Sequence, residues 1–306
     1  MLISAKTPLK FEKPGNCCIC NSKNIEKYYQ GEIRVGSFGQ SMEGTVYRCN
    51  NCSAQILGIK WADINKFYSS GDYRELLGQT SAQESFFEIH DSLQFERMPI
   101  LETLLYRGSV VADVGCGGGS MLDLMRGFAS TSIAIEPTKT YHKSLKERGH
   151  YVYPFTRDAL KKWRGKIDLV TSFSVIEHVE NPVEFLSEQR QLLKPSGKML
   201  ISTPNIDELM MRVGCTQYKA FNYRLVHLFY FNAESLQKTA EQAGFKNCRI
   251  LYKHRFNFSN FITWINEGKP SGNNHISSLG FGFDPQWRAI LESAGQSDYL
   301  YAELSN

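Results

Sequence analysis

Past residue 70, short β-branched runs alternate with longer stretches whose apolar residues recur at helical spacing. Residues 86–106 predict a helix interrupted near Pro99, with Leu101, Leu104 and Leu105 on its apolar face. Residues 109–114 then predict a strand that runs into a glycine cluster, and helical character resumes at 120–125. The alternation repeats as strand 132–136, helix 140–148, strand 151–155 and strand 167–173. The clearest helix has Asn181 as N-cap and Pro182 at its first position, with Phe185, Leu186, Gln189, Leu192 and Leu193 along one face. Residues 194–197 end it, and strand 198–202 follows. Asn232 caps a further helix that stops at Gly244 before strand 248–252, and strand 298–304 finishes the chain after a helix at 286–294. Strands separated by helices imply a doubly covered, parallel α/β sheet, here of seven strands from Val110 onward. A Gly-, Asn- and Ser-rich loop at 267–282 is a candidate lid.

Composition narrows the class of protein. At 306 residues with 42% hydrophobic content, the chain can fill one large α/β core and add a small module. The expected division is residues 1–62 as a small N-terminal module, 63–84 as a linker and covering segment, and 85–306 as the large α/β domain. Thirty-five Lys and Arg against 31 Asp and Glu leave only +4, with no long basic run, so nothing advertises a nucleic-acid partner. No signal-peptide pattern opens the sequence at residues 1–6, and no window approaches the roughly 18 uninterrupted apolar residues of a membrane span. A cytoplasmic protein is the expectation.

Four of the eight cysteines form two Cys-x-x-Cys pairs, Cys17 with Cys20 and Cys49 with Cys52. That spacing lets four thiolates close a tetrahedral shell around Zn²⁺ with no position left for water, so such a zinc would be structural. Cys18 complicates the first pair, because it could replace Cys17 by shortening the spacing to Cys-x-Cys.

The glycine cluster follows an acid at a strand end: Asp113, Gly115, Gly117 and Gly119 alternate, and a helix begins after them. Alternate glycines let the backbone approach a ligand that a Cβ atom would exclude. Glu136 ends the next strand 23 residues after Asp113, where a carboxylate accepts from ribose hydroxyls. These features suit a nicotinamide dinucleotide nearly as well as a methyl donor. The wider array resembles the class I S-adenosylmethionine-dependent methyltransferases, with their seven-stranded Rossmann-like sheet, from about Tyr73 to Asn306. It includes Val175-Ile176-Glu177-His178-Val179 after the fourth strand, Leu193-Lys194-Pro195-Ser196-Gly197 before the fifth and Ile201-Ser202-Thr203-Pro204-Asn205 on it. The resemblance implies S-adenosylmethionine as co-substrate, its methionine portion at Asp113 and the glycines, its ribose at Glu136 and its adenine near Thr156, Arg157 and Asp158. Phe173, which closes the fourth strand, and Tyr73, which precedes the first helix, join the expected cofactor set.

For the acceptor, an alcohol needs a base, and His178 follows the fourth strand at the ligand-binding edge of the sheet, with Glu177 beside it to orient the ring or the substrate. His227 comes from the connection after the fifth strand and competes for the same role. The zinc module and the Glu-His pair resemble methyltransferases of deoxysugar and surface-polysaccharide pathways, which implies O-methylation of a sugar or another small polar metabolite. A nucleotide-sugar C-methyltransferase, an RNA methyltransferase using its zinc module on rRNA or tRNA, and a non-enzymatic cofactor-binding protein are the alternatives.

Overall fold

The structure, a computed structural model, describes residues 9–78, 83–272, 274 and 281–306. The opening residues and part of the candidate lid, residues 273 and 275–280 of 267–282, lie outside the described residues. Five strands precede the large domain: β1 (Leu9–Phe11), β2 (Ile25–Arg34), β3 (Ser41–Cys49), β4 (Gln55–Leu57) and β5 (Ile59–Trp61). Helices α1 (Ile64–Ser69), α2 (Asp72–Leu76) and α3 (Gln83–Leu101) lead out of them. The alternation then runs β6 (Val110–Val114), α4 (Ser120–Met125), β7 (Thr131–Ile135), α5 (His142–Glu147), β8 (Tyr151–Tyr153), α6 (Thr156–Trp163), β9 (Ile167–Phe173), α7 (Pro182–Arg190) and β10 (Leu193–Pro204). Strands β11 (Phe229–Tyr230), β12 (Asn247–Lys253) and β13 (Tyr299–Ser305) complete the chain.

The large sheet has seven strands in the order β12-β13-β10-β9-β6-β7-β8. Its β10, β9, β6, β7 and β8 run parallel, and β13 lies antiparallel between β10 and β12. Val111 to Val114, Ser132 to Ile135 and Met199 to Thr203 are buried without alternation, as expected of strands covered by helices on both faces. The order reverses at β6, which has β9 on one side and β7 on the other, so ligands are expected beyond the carboxyl ends of these strands.

Local signals that define helix starts are met in detail. The Asn181 side chain accepts from Glu184 N at 3.2 Å with Pro182 in the first turn, and Asn232 forms a reciprocal capping box with Ser235. Residues 194–197 do not separate a helix from a strand as the sequence suggested. They lie within β10, where the register against β9 shifts between Leu193 and Lys198.

The N-terminal module is not an isolated bead. Strands β2, β3 and β4 form an antiparallel sheet whose fourth strand, β11, comes from the far side of the chain, with Phe229 opposite Ile56 and Tyr230 opposite Gln55. One apolar cluster runs from Cys17, Ile33 and Val46 through Val226 and Phe231 to Ile201 and Leu300.

Candidate active site

A cavity of about 550 Å³ opens at the carboxyl ends of β6, β7 and β9, within the size range of small-molecule sites. Its floor is the loop leaving β6. Gly115 and Gly117 have φ of +74° and +54°, and a Cβ on either would stand 2.5 Å from Val175 Cγ2 or Phe86 Cε2. Only glycine meets both demands, so the chain passes close under the cavity with its backbone exposed to it.

Glu136 clips this loop to the next one. Its carboxylate accepts from Gly117 N and from Thr138 N, each at 2.8 Å, and each oxygen retains a lone pair for a ribose hydroxyl. Asp113 accepts from Thr171 Oγ1 at 2.7 Å. Burial lifts the Asp113 carboxyl to about 7, although the Thr171 bond and the Arg97 charge pull the other way.

The roof comes from the linker. Tyr68 and Tyr73 from α1 and α2 line the cavity, and the Tyr68 carbonyl accepts from Thr138 Oγ1 at 3.1 Å. Arg97, on α3, lines it as well and stacks its guanidinium 4.4 Å over the Phe173 ring. Neither its helix position nor its neighbours single Arg97 out in the sequence, yet it lines the cavity with Arg74, Arg157 and Arg255, and its charge acts on Asp113.

After β9 the chain turns sharply at Ser174, which has φ of +56° and shares a 2.7 Å hydrogen bond with Tyr299 Oη. A serine in the left-handed region carries strain that the surrounding structure must hold. The turn delivers Glu177 and His178, both buried. His178 Nδ1 lies 2.8 Å from the Val226 carbonyl and 2.9 Å from Tyr68 Oη. A carbonyl can only accept, so the proton sits on Nδ1 and Nε2 keeps its lone pair. Burial and then the charges of Arg224 and Arg74 hold this imidazole down to about 3, against the raising effect of the Val226 bond. It is therefore neutral at ordinary pH.

Glu177 accepts from Thr203 Oγ1 at 3.0 Å through Oε2, while Oε1 is buried without a partner, 4.0 Å from His178 Nε2. Burial lifts this carboxyl to about 7. The His227 ring packs edge-on against His178 with centroids 4.8 Å apart, on the side away from the cavity. The donor atoms of Glu177, His178 and His227 lie within 4.8 Å of one another.

Of the residues expected to meet the cofactor, Asp113, Gly115, Gly117, Glu136, Phe173 and Tyr73 line this one cavity. Gly119 instead starts α4 in a left-handed conformation, and the Asp158 side chain turns to Lys161 Nζ at 3.1 Å in the first turn of α6. Thr156 and Arg157 line the cavity beside it.

The four module cysteines converge as well. Cys17 and Cys52 sulfurs are 3.6 Å apart and Cys20 and Cys49 sulfurs 3.5 Å, close to the about 3.8 Å edge of a tetrahedron with zinc–sulfur bonds of about 2.3 Å and far beyond a disulfide. Asn21 and Ser53, each directly after the second cysteine of a pair, have φ of +58° and +62°. They donate back to the Cys17 and Cys49 carbonyls at 2.7 and 2.9 Å, so the two pairs are matching knuckles. Cys18 is exposed and outside the cluster.

The family model described as "Methyltransferase domain" matches residues 92–250, more than half of the chain. The chain is 36% identical over 107 residues to a ubiquinone biosynthesis O-methyltransferase of Caulobacter vibrioides, a match covering 33% of this chain but only 42% of that relative. It is 26% identical over 187 residues to the enzyme of the same name from Xanthomonas oryzae pv. oryzae, covering 58% of this chain and 77% of the relative. Among solved structures, a SAM-dependent methyltransferase from Archaeoglobus fulgidus superimposes with a TM-score of 0.50 at 18% identity, over 73% of this chain and 97% of that one, a likeness of fold alone.

Proposed function

The chain belongs to the methyltransferase-domain family, and from that premise we propose that it moves the methyl group of S-adenosylmethionine to a hydroxyl oxygen of a small polar acceptor, with His178 as the base. The observation that carries this reading is the fixed tautomer of His178: Nδ1 is committed to the Val226 carbonyl, which leaves a neutral Nε2 beside the cavity. The reported relatives, named for ubiquinone biosynthesis, are O-methyltransferases by name and support oxygen as the atom methylated. Sugars and phenols both satisfy the chemistry.

The residues fit the donor. Asp113 would hold its ammonium group, Arg97 its carboxylate and Glu136 its ribose, over a loop at Gly115 and Gly117 where Val175 and Phe86 leave no room for a Cβ atom. When bound, S-adenosylmethionine supplies a methyl group already activated by a sulfonium. The protein's task is alignment, which can contribute about 7–11 kcal/mol, and removal of one proton, worth about 10²–10⁴ in rate. His178 Nε2 is placed to take the acceptor's hydroxyl proton, the one proton that methylation of an alcohol releases. Glu177, 4.0 Å away, compensates the imidazolium charge, and Tyr68 and Val226 keep the ring from rotating. His227 backs the His178 ring.

We further propose a structural Zn²⁺ on Cys17, Cys20, Cys49 and Cys52, supported by the near-tetrahedral sulfur spacing. Four reduced thiolates suit a reducing, cytoplasmic compartment. Among the described residues no helix is long and apolar enough to cross a membrane. The test of the function is transfer of labelled methyl from S-adenosylmethionine into pools of small hydroxylated metabolites. Label appearing only in RNA would overturn the acceptor class.

A further inference from the structure

At the end of the cavity nearest Glu177, the corner between β12 and β13 holds a guanidinium in an unusual setting. Arg255 donates through Nε to Asp298 Oδ2 at 2.7 Å, and its backbone N–H donates to Asp298 Oδ1 at 2.9 Å. Its Cζ lies 3.8 Å over the Tyr299 ring. Asp298 is itself buried and held down to about 2, burial opposing and Arg255 and His254 outweighing it. With Nε committed and one face covered, the terminal nitrogens are the polar groups Arg255 has left to offer; its side chain keeps 34% exposure and lines the cavity. Among the described residues neither terminal nitrogen has a hydrogen-bond partner.

The surroundings add charge of the same sign. Arg224 and Arg255 both act on Glu177, and Arg224 and Arg74 both act on His178, so Arg255 shares this end of the cavity with other guanidinium groups as well as with the Glu177 carboxyl. A bound sulfonium would add one more positive charge. A guanidinium presenting two parallel N–H groups matches a carboxylate or phosphate bidentately, and such charge-assisted bonds are roughly twice as strong as neutral ones.

We propose that the methyl acceptor carries an oxyanion, a carboxylate or a phosphate, that docks on the terminal nitrogens of Arg255 while its hydroxyl faces His178. Resting on the methyltransferase reading, this narrows the acceptor from any small polar alcohol to an anionic one. Asp298 and Tyr299 fix the guanidinium before the acceptor arrives, so little ordering is left to binding. The same anion offsets the positive field of Arg74 and Arg224 at His178 and makes its Nε2 a stronger base in the complex.

The test titrates protein loaded with S-adenosylhomocysteine against two matched pairs: 3,4-dihydroxybenzoate with 3,4-dihydroxybenzamide for the carboxylate, and glucose 1-phosphate with glucose for the phosphate. At least one anionic member should bind about tenfold or more tightly than its neutral twin. Which pair discriminates identifies the oxyanion. In R255Q, whose amide can still donate to Asp298, the preference should collapse to about twofold with S-adenosylhomocysteine affinity unchanged. Equal binding within both pairs, no binding of either anion, or a preference that survives R255Q would overturn the proposal. The wild-type comparison stands even if R255Q folds poorly. Loss of S-adenosylhomocysteine binding by the folded wild-type protein is a separate outcome that would remove the methyltransferase reading itself.

Discussion

The Val226 carbonyl accepts a hydrogen bond from His178 Nδ1 at 2.8 Å, and this bond ties the proposed base to the N-terminal module. Val226 sits between Arg224, which forms an isolated parallel bridge with Arg34 at the end of β2, and β11, paired with β4. Leu57 N donates to the Leu228 carbonyl at 2.9 Å, and Leu228 N donates to the Glu177 carbonyl at 2.8 Å. The cysteine knuckles therefore belong to the module that backs His178, and none of the four cysteines lines the cavity.

Removing the metal with a chelator, or substituting Cys49→Ser, should lower turnover more than cofactor affinity. A structural zinc supplies folding energy to its own module, and loss of the β4–β11 pairing frees the Val226 carbonyl. Turnover and S-adenosylhomocysteine affinity measured side by side separate the two effects. Equal loss of both would mean that the module supports the whole fold rather than the base.

His178→Gln should reduce kcat by about 10²–10⁴ while leaving the S-adenosylhomocysteine Kd within about twofold. Unchanged turnover would remove His178 from the proton transfer. His227→Ala should act more weakly, through the packing of the two rings.

Gly117→Ala should cost about 1–3 kcal/mol of stability and most of the cofactor affinity, because the new methyl needs a left-handed backbone and meets the Phe86 ring. Thermal melting and titration check both. A variant that binds cofactor normally would show that the loop can retreat.

Cofactor affinity should rise with pH between about 6 and 8. Burial holds Asp113 at about 7 in the free protein, and an adjacent ammonium favours the ionised form, so binding lowers this value and releases a proton below about 7. The S-adenosylhomocysteine Kd should fall as pH rises through 7 and then level off, with Asp113→Asn flattening the dependence. Proton uptake on binding, seen as buffer-dependent heat of the opposite sign, would contradict this assignment.

How much of this was readable in the sequence follows from how local each feature is. The Asn181-Pro182 cap, the alternation of strands and helices, and the Asp113 to Glu136 spacing are set within about two dozen residues and appear in the structure where the pattern placed them. The cysteine pairs were legible as two knuckles, and the structure brings Cys17, not the exposed Cys18, together with Cys20, Cys49 and Cys52. Strand β11 was not legible: two residues whose sheet partners, Ile56 and Gln55, lie far back in the chain carry no periodic signal. Arg97 and Arg255 are single cations whose placement comes from the rings they lie over, Phe173 and Tyr299. Ser174 has no local sign of its left-handed backbone, which the Tyr299 hydroxyl and the packing around β9 impose. Asp158 sits at the expected place after the third strand, but a lysine one helical turn away claims its side chain.

The central claim is that the cleft above Gly115, Gly117 and Glu136 holds S-adenosylmethionine. Its most direct measurement is isothermal titration of the zinc-loaded protein with S-adenosylhomocysteine, alongside Glu136→Ala. One site should be seen, weakened about 10- to 150-fold in the variant, since each charge-assisted bond to a ribose hydroxyl is worth about 1.5–3 kcal/mol. No binding heat from a folded, zinc-loaded protein, or an affinity indifferent to Glu136, would contradict it.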